Sequence, residues 1–285
     1  MPRKTIDLVL SGAGTLLPCQ IGAWAALLDM GYTVRRVVGT SAGGIVAAGI
    51  AHGWEPENAL HLAQKLLDGR LQDWGWPFGA GFGAHRWRTF KALARESVPG
   101  SMAGGNVPWG VVTLDLEIRA PILLSNWGVF QIIDVDGRIV LHPEPGDPAK
   151  IPCADALAAT SAIPGVVKVQ KVAGVRGTFV DGGATMNFAL GVFDDDENVP
   201  TVGIRFRSRP HARKAIDSVL AWSQALAGAI LDSSNRTHLG AKGNVLVVDI
   251  DTDGEALAFR QSQAQVLKLY HDGYASTLRE LGNVQ

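Results

Sequence analysis

The first fifty residues alternate between short apolar runs and stretches with helical spacing. Residues 6–10, IDLVL, are apolar except for Asp7 and read as a buried strand. Glycines follow, and then Ile21, Trp24, Ala25 and Leu28 recur at helical spacing as far as Gly31, a suitable residue for a helix C-terminus. Residues 34–38 form a second strand pattern and the alanine-rich residues 42–52 a second helix. Strand, helix, strand, helix in succession predicts a parallel sheet covered by helices.

The pattern then loosens. Residues 71–87, LQDWGWPFGAGFGAHRW, hold five aromatic residues and four glycines, which suits a loop better than a helix or a strand. Residues 111–124 are strand-like, and Asp136-Gly137 between two alternating runs signals a hairpin, so antiparallel strands join the sheet. Residues 151–162 read as a helix stopped at Ile163-Pro164, and residues 178–180 as a short strand entering Asp181-Gly182-Gly183. A strand at 201–206, a long helix near 213–239, a strand at 245–250 and a last helix near 255–281 complete the chain. Nothing resembling a linker or a repeat divides residues 1–285, so a single domain is expected.

Composition narrows the class. At 285 residues with 47% hydrophobic and 19% charged, the chain can bury a large core and is not of the disordered kind. Its 26 basic and 27 acidic residues give a net charge of -1, which argues against a nucleic-acid partner. Two cysteines, Cys19 and Cys153, make neither a disulfide framework nor a paired metal site, and fit a reducing compartment. The apolar run at 6–10 is too short for a signal-peptide core, and none approaches the roughly 20 residues of a membrane span. The expectation is a cytoplasmic protein that can work peripherally at a membrane surface.

Three stretches carry candidate chemistry. In VGTSAGG, Gly39-x-Ser41-x-Gly43 falls between a strand and a helix, as a nucleophile elbow requires, with glycines where a Cβ would collide with neighbouring backbone. The plainer alternative is that Ser41 only caps the helix. The loop Ser11-Gly12-Ala13-Gly14-Thr15 ends the first strand, where backbone N–H groups can stabilise an oxyanion. A phosphate-binding loop is the other reading, but Leu17 stands where G-x-G-x-x-G needs its third glycine. Asp181, at a strand end before Gly182 and Gly183, is a candidate general base if burial raises its proton affinity.

Taken in order, LVLSGAGTLLPCQIGAWAAL, VVGTSAGGIVAAGIAHG, and ATSAIPGVVKV followed by GTFVDGGATMNFAL resemble the patatin-like phospholipases over residues 8–190. The resemblance implies a three-layer α/β/α sandwich, with a mostly parallel central sheet and some antiparallel strands. It implies a Ser–Asp dyad without histidine, in which Ser41 is the nucleophile, Asp181 the base, and the backbone of Gly12, Ala13 and Gly14 the oxyanion hole. Gly39, Gly43, Gly182 and Gly183 support these motifs. The family loop usually reads Gly-Gly-Gly-x-Arg/Lys-Gly, whereas Ala13, Leu16 and Leu17 stand here, a departure that bears on phospholipid preference more than on ester hydrolysis. The implied activity is hydrolysis of fatty-acyl lipid esters through an acyl-enzyme, with no metal or organic cofactor.

Two other classes compete. A Ser-His-Asp hydrolase would recruit His211, His238 or His271, each of which reads as a surface histidine. A non-catalytic lipid- or protein-binding member of the same fold is the second. Asp249-x-Asp251-x-Asp253-Gly254 opens like a calcium loop but places Arg260 at the twelfth position, so it reads as a polar turn. The acidic run 194–197 reads as a solvated loop and Cys19 as a small buried hydrophobe. The rings of Trp74, Trp76, Phe78, Phe82 and Trp87 suit a lid or membrane rim as well as core packing, and nothing in the pattern specifies an oligomeric state.

Overall fold

The computed structural model of the chain describes residues 4–69, 83–85, 87–136, 138–196, 198–207, 225, 228–229 and 244–282. Its strands are β1 (Lys4–Leu10), β2 (Tyr32–Thr40), β3 (Gly83–His85), β4 (Trp109–Asp115), β5 (Ala120–Ser125) and β6 (Gly128–Val135), then β7 (Arg138–Glu144), β8 (Gly165–Val167), β9 (Phe179–Asp181), β10 (Thr201–Phe206) and β11 (Val245–Ile250). Nine of them form one sheet in the order β11-β10-β1-β2-β4-β5-β6-β7, with β9 also paired to β4. The run from β11 to β4 is parallel, and β5, β6 and β7 continue it antiparallel. β3 and β8 make a separate parallel pair.

Helices α1 (Leu17–Asp29), α2 (Ala42–Ala51), α3 (Pro56–Leu67), α4 (Arg88–Ser97), α5 (Cys153–Thr160) and α6 (Gln263–Gly282) share one core with one face of the sheet. Period-two alternation assigns the faces. Ile6, Leu8, Leu10, Val37, Val111 and Leu124 meet the helices, while Val9, Val38, Val112 and Leu123 meet Met186, Phe188, Leu190 and Phe193 on the other side. Among the described residues the third layer is therefore the irregular segment 186–193. The architecture is the α/β sandwich expected, with a mixed central sheet.

Several elements depart from expectation. Residues 111–124 are not one strand but parts of β4 and β5, because LEIR breaks the apolar run and Arg119 takes a left-handed φ of 57° to turn the chain. The last helix begins at Gln263 rather than near 255, since residues 255–261 are drawn across the glycine loop. Helices α3 and α4 were not expected. The helix near 213–239 and residues 71–82 of the aromatic loop lie outside the described residues.

The acidic run after the third layer is a tether rather than a solvated loop. Asp7, fully buried on β1, receives Arg35 and Arg36 of β2, each at 2.6 Å. Arg35 also pairs with Asp196 at 2.6 Å and Arg36 with Asp195 at 2.8 Å, while the Arg36 guanidinium lies 4.4 Å from the Phe193 ring centroid. Five charges thus stitch β1 and β2 to the segment that closes the second face. Removing the central carboxylate would leave two guanidinium groups, 32% and 18% exposed, without it. Asp7→Asn should cost about 2–3 kcal/mol, below the range for a fully buried pair because the arginines reach water. A urea titration reads this as a lower midpoint at unchanged slope, and an unchanged midpoint would contradict it.

Candidate active site

Strand β2 ends at Thr40, which lies opposite Val112 of β4, and α2 starts at Ala42. Ser41 makes the turn alone, with φ 53° and ψ -123°, a conformation L-residues rarely adopt and one that costs about 1–3 kcal/mol. The flanking glycines make it possible. A Cβ on Gly39 would overlap the Gly43 carbonyl, and one on Gly43 would overlap the Leu10 and Ser11 carbonyls of the neighbouring strand. Thr160, at the end of α5, holds the turn from the other side. Its hydroxyl accepts the Ser41 N–H at 2.9 Å and donates to the Val112 carbonyl, tying the elbow to β4.

β9 pairs with β4 immediately beyond the point where β2 leaves it, placing Asp181 opposite Thr113. Consecutive residues of one strand thus hold Thr40 and Asp181 side by side. The Ser41 hydroxyl donates to Asp181 Oδ2 at 2.6 Å, and the Gly183 N–H donates to Oδ1 at 2.8 Å. The Asp181 amide donates to the Ala162 carbonyl at 2.9 Å, and Gly182 lies so near β4 that a Cβ would overlap the Val112 carbonyl. Asp181 is 0% exposed and Ser41 4%. Burial pushes the Asp181 carboxyl up to about 7, against the hydrogen bonds from Ser41 and Gly183 that pull it down. No cation pairs with it among the described residues, so little else favours its ionised form.

The glycine loop runs beside the elbow. A Cβ on Gly12 would lie 3.4 Å from Ser41 Cβ and would overlap the Asn187 side chain. The Gly12 N–H is engaged, donating to the Asn187 carbonyl at 3.0 Å, whereas the Ala13 and Gly14 amides have no partner among the described residues. Gln20 steadies the loop by donating to the Ser11 carbonyl at 2.6 Å. Gly14, at φ 54°, packs under the Ala256 carbonyl, where any Cβ would collide. Next to it Thr15 accepts and donates in turn: its N–H reaches the Ala256 carbonyl at 2.8 Å, its hydroxyl the Glu255 carbonyl at 2.8 Å, and its carbonyl receives Gln261 Nε2 at 3.2 Å. Leu16 and Leu17, the departures from the family loop, are buried in the helix-side core. At the elbow, α2 begins without a side-chain cap, so the Ala42 and Gly43 amides are not taken by one.

Thr160 and residues 255–261 carry site geometry that the sequence reading passed over. Thr160 lies inside a quoted motif, and its place at the end of a helix before Ser-Ala-Ile-Pro is the only signal it offers. None of the remaining candidates among the described residues hydrogen-bonds the dyad. Among the described residues no histidine hydrogen-bonds Ser41 or Asp181; His271 is exposed on α6, and His211 and His238 lie outside the described residues. Asp249 pairs with Arg205 at 2.7 Å and Asp253 with Lys268, and no cluster of three metal-ligating side chains occurs among the described residues. Cys19 is fully buried, with its thiol pKa pushed up by burial. Trp87 packs into the core, stacked on Phe90 at 4.9 Å, while Trp74, Trp76, Phe78 and Phe82 lie outside the described residues.

A mixed sheet under helices, with a strand-to-helix elbow and a neighbouring aspartate, defines a class of α/β hydrolytic folds. The model of the patatin-like phospholipase family matches residues 8–194, and the chain belongs to that family, whose members are lipid hydrolases. It is 27% identical over 293 residues to the uncharacterized protein YqhO of Bacillus subtilis (strain 168), covering 95% of this chain and 96% of that one. Among solved structures, VipD from Legionella pneumophila superposes with a TM-score of 0.50 at 16% identity over 99% of this chain and 67% of its own. The type III effector protein ExoU gives a TM-score of 0.41 at 15% identity over 99% and 53%. No described helix is long and apolar enough to cross a membrane.

The raised proton affinity of Asp181 ties stability to pH. Its carboxyl titrates near 3.8 in an unfolded chain and near 7 when folded, so the folded state binds more protons between those values. Stability contributed by the protonated form is present below the lower value and is lost as pH rises through 7. Asp181→Asn removes the titration and should gain stability relative to wild type across this window, levelling off above it. Urea midpoints measured over the range check this, and parallel curves for the two proteins would contradict it.

Proposed function

We propose that the protein is a serine acyl hydrolase that cleaves fatty-acyl ester bonds of lipids. The observation that carries this reading is the 2.6 Å hydrogen bond from a buried serine in a strained elbow to a buried carboxylate that titrates near neutrality. Ser41 Oγ attacks the ester carbonyl carbon while Asp181 Oδ2 takes its proton, and the carbonyl oxygen becomes an oxyanion. The Ala13 and Gly14 amides and the first amide of α2, from Ala42, are the proposed donors to that oxyanion. Gly12 serves as the close-approach residue, its own amide being held by Asn187. As the tetrahedral centre collapses, protonated Asp181 gives the proton to the leaving alkoxide, and an acyl-enzyme ester forms on Ser41. Water then attacks that ester with Asp181 again as base, the Ser41–acyl bond breaks, and the fatty acid leaves.

A base near pKa 7 suits this work, because it is half ionised at neutral pH and still basic enough to draw a serine proton. Thr160 contributes by position: with the Ser41 amide committed to its hydroxyl, the elbow cannot relax into an ordinary helical turn.

Hydrolysis of a soluble short-chain ester and of a monoacyl lipid tests the reading. Ser41→Ala and Asp181→Asn should each lower kcat/KM by at least ~1000-fold, with melting temperature retained or raised in the latter. Separate alanine substitutions at His211, His238 and His271 should each retain activity. Loss of turnover in one histidine variant would transfer the base role to that residue, and absence of turnover in folded wild type on both substrates would favour a binding protein.

A further inference from the structure

Two turns project beyond the end of the sheet where Ser41 lies. β4 passes Thr113, the partner of Asp181, and runs on to Asp115, so the turn at 116–119 begins roughly 10 Å past the dyad. Ile122 of β5 faces both Thr113 and Gln131 of β6, and β6 then climbs from Gln131 to Val135, opposite Arg138. The β6–β7 turn therefore reaches the same end of the sheet, roughly 13 Å past that level.

Both turns present aliphatic side chains to water. Leu116 is 43% exposed, Ile118 51%, Val135 47%, and Val140 on β7 46%. Single exposed aliphatics are ordinary, but three of the eight exposed large hydrophobic residues described, Leu116, Ile118 and Val135, lie at two neighbouring turns at one end of the fold, with Val140 a little further along β7 opposite Ile133. Around them stand three arginines: Arg119 and Arg138 make no hydrogen bond or ion pair among the described residues, while Arg176 interacts electrostatically with Glu117. The acidic side chains are partly spent: Glu117 is held by Lys171 at 3.0 Å and by Thr178 at 2.7 Å, and Asp134 is engaged. Of the two aspartates that share a pocket with Arg138, Asp194 is engaged and Asp195 pairs with Arg36 at 2.8 Å, which leaves Asp136. Arg119 keeps its cation at a left-handed position that glycine would fill with less strain.

We propose that these two turns dock the protein on an anionic bilayer, with the Ser41 end of the sheet turned toward the lipid. The proposal rests on the lipid acyl hydrolase reading and extends it by naming the surface that meets the substrate. Aliphatic tips enter the boundary between headgroups and acyl chains, and the arginines, with long apolar stems and weakly hydrated heads, pair with lipid phosphates. The negative potential of an anionic leaflet favours that orientation.

Co-sedimentation with vesicles of phosphatidylcholine mixed with phosphatidylglycerol, and of phosphatidylcholine alone, tests the surface. Wild type should partition onto the mixed vesicles at least ~10-fold better than onto the neutral ones. Leu116→Asp with Ile118→Asp should reduce that partitioning at least ~10-fold, while labelling of Ser41 by a fluorophosphonate in lipid-free buffer stays at the wild-type level. Arg119→Glu with Arg138→Glu should erase the preference between the two vesicles, and it decides the matter alone if the first variant fails to fold. Wild type that ignores both vesicles, or charge and aliphatic variants that bind like wild type, would overturn the proposal. Failure of the hydrolase reading looks different: Ser41 would resist labelling in every protein while vesicle binding followed the pattern above.

Discussion

The hydrogen bond between Ser41 and Asp181 depends on a division of one strand edge. β4 offers four positions to β2 and the next three to β9, so the end of a parallel neighbour and the end of an antiparallel one meet at Val112 and Thr113. A serine leaving the first and an aspartate ending the second are then within 2.6 Å with no loop needed to bring them together. The backbones crowd at this junction, and Gly39, Gly43 and Gly182 stand where any side chain would strike a carbonyl. Thr160 closes the junction by tying the amide of Ser41 to the same strand.

Two aspartates of this sheet are fully buried, and their surroundings differ. Asp7 faces two arginines and joins three segments, so its charge is used for cohesion. Asp181 has only a hydroxyl and an amide, so burial raises its proton affinity and its ionised form is held at a cost in stability. The fold thus separates a charge-paired carboxylate from one with raised proton affinity by the presence or absence of a cation. Residues 255–261 add a second division. They lie beyond the span matched by the family model, yet they clamp Gly14 and Thr15 of the glycine loop through the Ala256 and Glu255 carbonyls and the Gln261 side chain.

Most of the junction was legible because its parts are local. Glycine spacing around Ser41, an apolar run before it and alanines after it mark a strand-to-helix elbow, and Asp181-Gly182-Gly183 follows a short strand in the same manner. What stayed hidden depends on distant partners. No periodicity tells that Asn187 takes the Gly12 amide, that Thr160 faces Ser41, or that residues 255–261 cross the loop instead of beginning the last helix. The acidic run at 194–197 looked solvated because its arginine partners are some 160 residues away in sequence. Helix α3 was legible in principle: Pro56 sits in its first turn, and Ala59, Ala63 and Leu67 recur every four residues on its buried face.

The central claim is that the buried Ser41–Asp181 pair is a reactive unit. The most direct measurement is the second-order rate at which a fluorophosphonate labels Ser41, followed across roughly pH 5 to 9 in wild type and Asp181→Asn. The account predicts a wild-type rate that rises with a midpoint near 7 and reaches a plateau, as the carboxylate ionises. It predicts for Asp181→Asn a rate at least ~100-fold lower, without that step. A flat wild-type profile, or an Asp181→Asn protein labelled as fast as wild type, would contradict it.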